Sequence, residues 1–140
     1  MSRIFWESNL FVYLFEDYGG FSEAVVALRC AMLERRDQLL TSTLTLAEIV
    51  VKPIERGDVE AARKYEEAVT RTASLLPFDL RAARIYAQLR TSRTLGPPDA
   101  IQPACAAAAE AYASYRMYNR MYNRLELSGQ TAIVARSSAV

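Results

Sequence analysis

The chain has 140 residues, 51% hydrophobic and 24% charged, with a net charge of +1. That length suits one domain over residues 1–140, able to bury roughly 68–70% of its unfolded surface. The absence of histidine excludes Ser-His-Asp and Cys-His nucleophilic catalysis and histidine metal sites.

Cys30 and Cys105 stand far apart in no pair motif. Their spacing argues against a disulfide scaffold or a zinc site and fits a reducing cytoplasm. No GxxxxGK[ST] loop or GxGxxG turn is present. Glu7 and Asn9 interrupt the first apolar run, so it does not read as a signal peptide. No run reaches the roughly 20 apolar residues that span a membrane. Carboxylates and a hard, oxygen-liganded metal are nearly the only catalytic tools left. Charge is uneven along the chain. Residues 1–80 hold 13 acids and 9 bases, residues 81–140 hold 3 acids and 8 bases.

Ile4, Phe5 and Trp6 read as a short buried strand that stops at Glu7. A helix over Ser8–Tyr18 follows, with Ser8 or Asn9 as its cap. Gly19-Gly20 break it, and Phe21–Arg36 has amphipathic helical spacing. Gln38–Ser42 reads as a second strand. Thr43 or Thr45 then caps a helix through Val50, which Pro53 bends or ends. Asp58 opens a polar helix over Val59–Arg71, and Ala73–Phe78 reads as a third strand. Asp79 caps Leu80–Arg90, whose buried stripe is expected at Ala83, Tyr86, Ala87 and Leu89. After the loop Gly96-Pro97-Pro98 comes an alanine-rich helix, Ala100–Glu110, with Pro103 near its first turn. The tandem RMYN repeat at 116–123 allows two readings. Either the helix continues to Leu127, or Tyr112–Met117 is a fourth strand. Thr131–Ala135 reads as a last short strand. Strands alternating with helices imply an α/β fold, a small and mainly parallel sheet of four to five strands flanked by helices in three layers.

Three of the sixteen acids stand apart from charged helix faces. Glu7 follows the first strand directly, and in open α/β sheets ligands bind at that carboxyl edge. Glu48 lies among Leu44, Leu46, Ala47, Ile49 and Val50, where a bare buried acid would be costly. Asp99 opens a helix. Each also has an ordinary account: a strand-end charge, an outer-face partner for Lys52, and an N-cap. Together they point to a cluster that holds Mg²⁺ or Mn²⁺ and cleaves phosphodiesters.

The pieces IFWESNLFVYLFE, TSTLTLAEIV, LLPFDLRAARIYAQLR and GPPDAIQPACAAAA, in that order, resemble the PIN-domain nucleases, which include VapC-type toxins of bacterial toxin–antitoxin pairs. The resemblance implies a small parallel sheet between helices and metal-dependent RNA cleavage by clustered acids. It places Glu7 where the family usually has aspartate, and it matches Glu48 and Asp99 to the second and third acids. Asn9 and Ser42 match supporting positions, and Asn119 stands where the family has a fourth acid. Arg90, Arg93, Arg116 and Arg120 are candidates for the RNA backbone. The resemblance further implies a homodimer, held inactive by a small antitoxin. Two other readings remain: a catalytically weak or inactive PIN fold that binds RNA or a protein, and a helical interaction protein without a parallel sheet.

Overall fold

The computed structural model describes residues 2–91, 97–109 and 133–136, the last four and residues 97–99 by their backbone. Strand β1 (Ser2–Phe5) pairs in parallel with β2 (Gln38–Ser42), with Ile4 opposite Leu39 and Phe5 opposite Leu40. β2 pairs in parallel with β3 (Ser74–Leu76). β4 (Ile133–Arg136) lies antiparallel on the free edge of β1, which gives the order β3-β2-β1-β4. Among the described residues the sheet is therefore mainly parallel and four-stranded. The fourth-strand or long-helix alternatives at 111–127 lie outside the described residues.

Six helices accompany the sheet among the described residues. They are α1 (Ser8–Phe15), α2 (Gly20–Arg35), α3 (Thr43–Glu55), α4 (Val59–Thr72), α5 (Leu80–Thr91) and α6 (Pro97–Ala108). None of the helices in the described residues is long and apolar enough to cross a membrane. The alternation of strand side chains sets the layers. Ile4, Trp6 and Leu39 point to one face and pack with Leu10, Phe11, Val25, Met32, Ile49 and Val69 from α1 to α4. Phe5 and Leu40 point to the other and meet Ala82, Cys105 and Ala106 from α5 and α6. The three-layer arrangement follows from that division.

Several local expectations are corrected. The N-cap of α1 is Glu7, not Ser8 or Asn9, and its side chain makes no cap hydrogen bond. The N-cap of α3 is Ser42, whose Oγ accepts from the Thr45 N–H at 3.4 Å. Pro53 lies inside α3, which runs on to Glu55. On α5 the fully buried residue is Ala82, while Ala87 is exposed. Asp79 fixes that phase by accepting the Ala82 N–H at 2.9 Å. α6 begins at Pro97, so Pro103 lies inside the helix rather than at its start.

Candidate active site

α1 and α3 start at the carboxyl ends of adjacent parallel strands; Glu7 is the N-cap of α1, and Glu48 is the sixth residue of α3. The strand end beneath Glu7 is fixed twice. The Trp6 N–H donates to the Leu40 carbonyl at 2.9 Å, and Thr41 Oγ1 donates to the Trp6 carbonyl at 2.7 Å. Glu7 is half-buried, and its carbonyl accepts the Leu10 N–H at 3.2 Å. The partial positive charge at a helix N-terminus favours a carboxylate there.

Glu48 is exposed rather than buried. Its Oε2 accepts the Ser8 hydroxyl at 2.7 Å, so an α3 carboxylate is joined to the residue that follows Glu7. Of the apolar neighbours of Glu48 in sequence, Ile49 is buried while Ala47 is exposed beside it. Asp99 lies in the first turn of α6. Among the described residues no group of three metal-binding side chains is gathered.

The support beneath these acids is buried and polar. Gln102 on α6 is 5% exposed and uses both ends of its amide. Its Oε1 accepts the Ser42 hydroxyl at 2.5 Å, and its Nε2 donates to Thr45 Oγ1 at 2.9 Å. Ser42 is thus committed to Gln102 and to the N-terminus of α3. Asn9 is exposed on the first turn of α1. It lines a groove of about 530 Å³ with Ser8, Glu48, Lys52, Arg56 and Tyr65. Arg90 is half-buried in the last turn of α5. Arg93, Arg116, Asn119 and Arg120 lie outside the described residues.

Sequence reasoning passed over Gln102 and Thr41, and it gave Ser8 and Thr45 only a cap. One signal existed for Gln102: it is the lone amide in an apolar, alanine-rich helix. The donor set is all oxygen, since the chain lacks histidine and Cys105 is buried with its thiol pushed up to about 11, first by burial and then by the charge of Asp79. Oxygen donors fit a hard divalent cation such as Mg²⁺ or Mn²⁺ rather than zinc or copper.

A family model described as PIN domain matches residues 4–113. The solved structure of VapBC2 from Rickettsia felis, bound to a DNA fragment from their promoter, aligns with a TM-score of 0.61. Identity is 16%, covering 84% of this chain and 92% of that chain, so the two share a fold. No curated protein matches the chain.

Proposed function

Because the chain belongs to the PIN-domain family, we propose that it is a metal-dependent endoribonuclease. The observation that supports this reading is that α1 and α3 start at the carboxyl ends of adjacent parallel strands. Glu7 is the N-cap residue of α1, Glu48 on α3 accepts the Ser8 hydroxyl, and Gln102 ties the helix of Asp99 to the start of α3. Glu7, Glu48 and Asp99 would hold Mg²⁺ or Mn²⁺. The bound cation would supply Lewis-acid polarisation of the scissile phosphate and a more acidic water. Asn9 and Asn119 would contribute neutral polar groups at the rim, and Arg90, Arg93, Arg116 and Arg120 would contact the RNA backbone.

Membership of the PIN family, with a fold shared with VapBC2, is in keeping with a toxin of a toxin–antitoxin pair; we extend the proposal to a cytoplasmic homodimer with a small antitoxin partner. The test is RNA cleavage with added Mn²⁺. Glu48→Gln and Asp99→Asn are each expected to lower the rate at least about 100-fold, the scale on which electrostatic groups at a reacting centre act. Variants that cleave like the parent would remove these acids from the reaction.

A second reading, a weak or inactive PIN fold that binds RNA or protein, is favoured by glutamate at position 7 and the neutral Asn119. A chain of this kind would show no rise in melting temperature with Mn²⁺, whereas a metal site formed on folding raises it.

A further inference from the structure

We propose that Gln102 is a positioning residue, whose buried amide sets the register between α3, which carries Glu48, and α6, which carries Asp99. The inference rests on the reading of Glu7, Glu48 and Asp99 as a metal centre. Gln102 stands one helical turn after Asp99, and Thr45 stands one turn before Glu48. The hydrogen bond between Gln102 Nε2 and Thr45 Oγ1 therefore lies one turn, roughly 4.5 Å of helix, from each acid's place in the chain.

Three features give this bond its weight. The first is directionality. Ser42 Oγ accepts the Thr45 N–H, so its proton is available to Gln102 Oε1, and the Gln102 amide is then oriented with Nε2 toward Thr45. The second is the rest of α6. Ala100, Ala104 and Ala106 are fully buried there, and alanine contacts are non-directional and too short to interlock. The third is Pro103. It has no N–H for the Asp99 carbonyl four residues back, so the start of α6 lacks one of its own helical restraints.

Stability alone does not call for this arrangement. Replacing hydrogen-bonded buried partners by apolar groups of the same shape is close to neutral. What an apolar set cannot reproduce is the fixed angle between the two helices' starts. Partners that orient a site from behind its ligands typically change metal affinity or activity 10–100-fold when altered.

The experiment is a Mn²⁺ titration of the melting temperature, with the metal alone as probe, on three chains. In Gln102→Met the midpoint Mn²⁺ concentration is expected to rise at least about tenfold over the parent. The metal-free melting temperature should fall as well, because Ser42 and Thr45 lose their partner. In Gln102→Met/Thr45→Val the residue-45 hydroxyl is no longer stranded, and Ser42 keeps its cap on the residue-45 N–H. Its metal-free melting temperature should recover part of the loss while the Mn²⁺ midpoint stays weak. A midpoint unchanged in Gln102→Met, or one that recovers together with stability in the double variant, overturns the positioning role and leaves the metal centre standing. A parent chain with no response to Mn²⁺ removes the metal centre itself, and the positioning role with it.

Discussion

Leu10, Phe11, Val25, Met32, Ile49 and Val69 cover one face of the sheet with long side chains, whereas Ala82, Cys105 and Ala106 cover the other. On the first face Phe11 sits edge-on to Trp6 with ring centroids 5.4 Å apart, and interdigitated shapes fix where α1 and α2 lie. On the second face small residues let α5 and α6 approach closely but give them little shape to lock into. The acids divide across these faces. Glu7 and Glu48 belong to helices of the large-residue face, and Asp99 belongs to the small-residue face. A cluster drawn from both needs a second kind of anchor on the alanine side. There the structure has polar ones, Gln102 to Ser42 and Thr45, and Arg3, which donates to the Ala109 carbonyl just past the end of α6. Apolar burial holds one layer in register, and directional hydrogen bonds hold the other.

The comparison predicts unequal responses to substitution. Phe11→Ala should cost about 3–5 kcal/mol, because a fully buried ring is lost and its surroundings cannot collapse into the space. Urea unfolding measures it, and a cost below about 2 kcal/mol would show that this face is not tightly interlocked. Ala106→Leu on the opposite face should cost about 1–3 kcal/mol from overpacking, since Ala106 is fully buried between α6 and the sheet. A neutral Ala106→Leu would mean α6 has room to move, and the close approach argued for alanine would fail.

The same contrast governs what could be read in advance. On the large-residue face the apolar spacing of α3 and α4 is clearly helical, and Gln38–Ser42 matches in both bounds. Alanine is nearly neutral in burial, so its pattern carries little phase. That is why Ala82 was missed and Ala87 wrongly included in the α5 stripe, although Ala83, Tyr86 and Leu89 are half-buried; the start of α6 was set three residues late because Gly96-Pro97-Pro98 reads as a loop. Glu7 and Asp99 were visible as acids at element boundaries, and Glu48 as an acid among apolar neighbours, all local properties. Gln102 was not, because its partners lie 57 and 60 residues away, and only the fold brings them into contact. The exposure of Glu48 was one of the two accounts its neighbours allowed, since a helix among apolar residues still has an outer face.

The smallest effect is expected from a polar contact on the large-residue face. The Tyr65 hydroxyl on α4 donates to Glu16 Oε1 at 2.5 Å, while its ring stacks on Phe15 at 5.8 Å. The hydrogen bond to Glu16, aided by partial burial, pushes the Tyr65 pKa up to about 12 from an ordinary value of 10. The folded state therefore favours the protonated phenol. Its contribution is complete below pH 10 and is lost as pH rises from 10 through 12. Tyr65→Phe keeps the stacked ring and removes only the hydroxyl, so it should cost about 0.5–1 kcal/mol at pH 8, the range of a partly solvated hydrogen bond. Paired urea curves of parent and variant should converge as pH rises from 8 to 11. The Mn²⁺ midpoint should not move, because α1 and α4 are already placed by Phe11, Val69 and their neighbours. A Tyr65→Phe chain that bound Mn²⁺ as weakly as Gln102→Met would break the comparison. Polar contacts on either face would then report to the carboxylates alike, and the alanine side would have no special need of its amide.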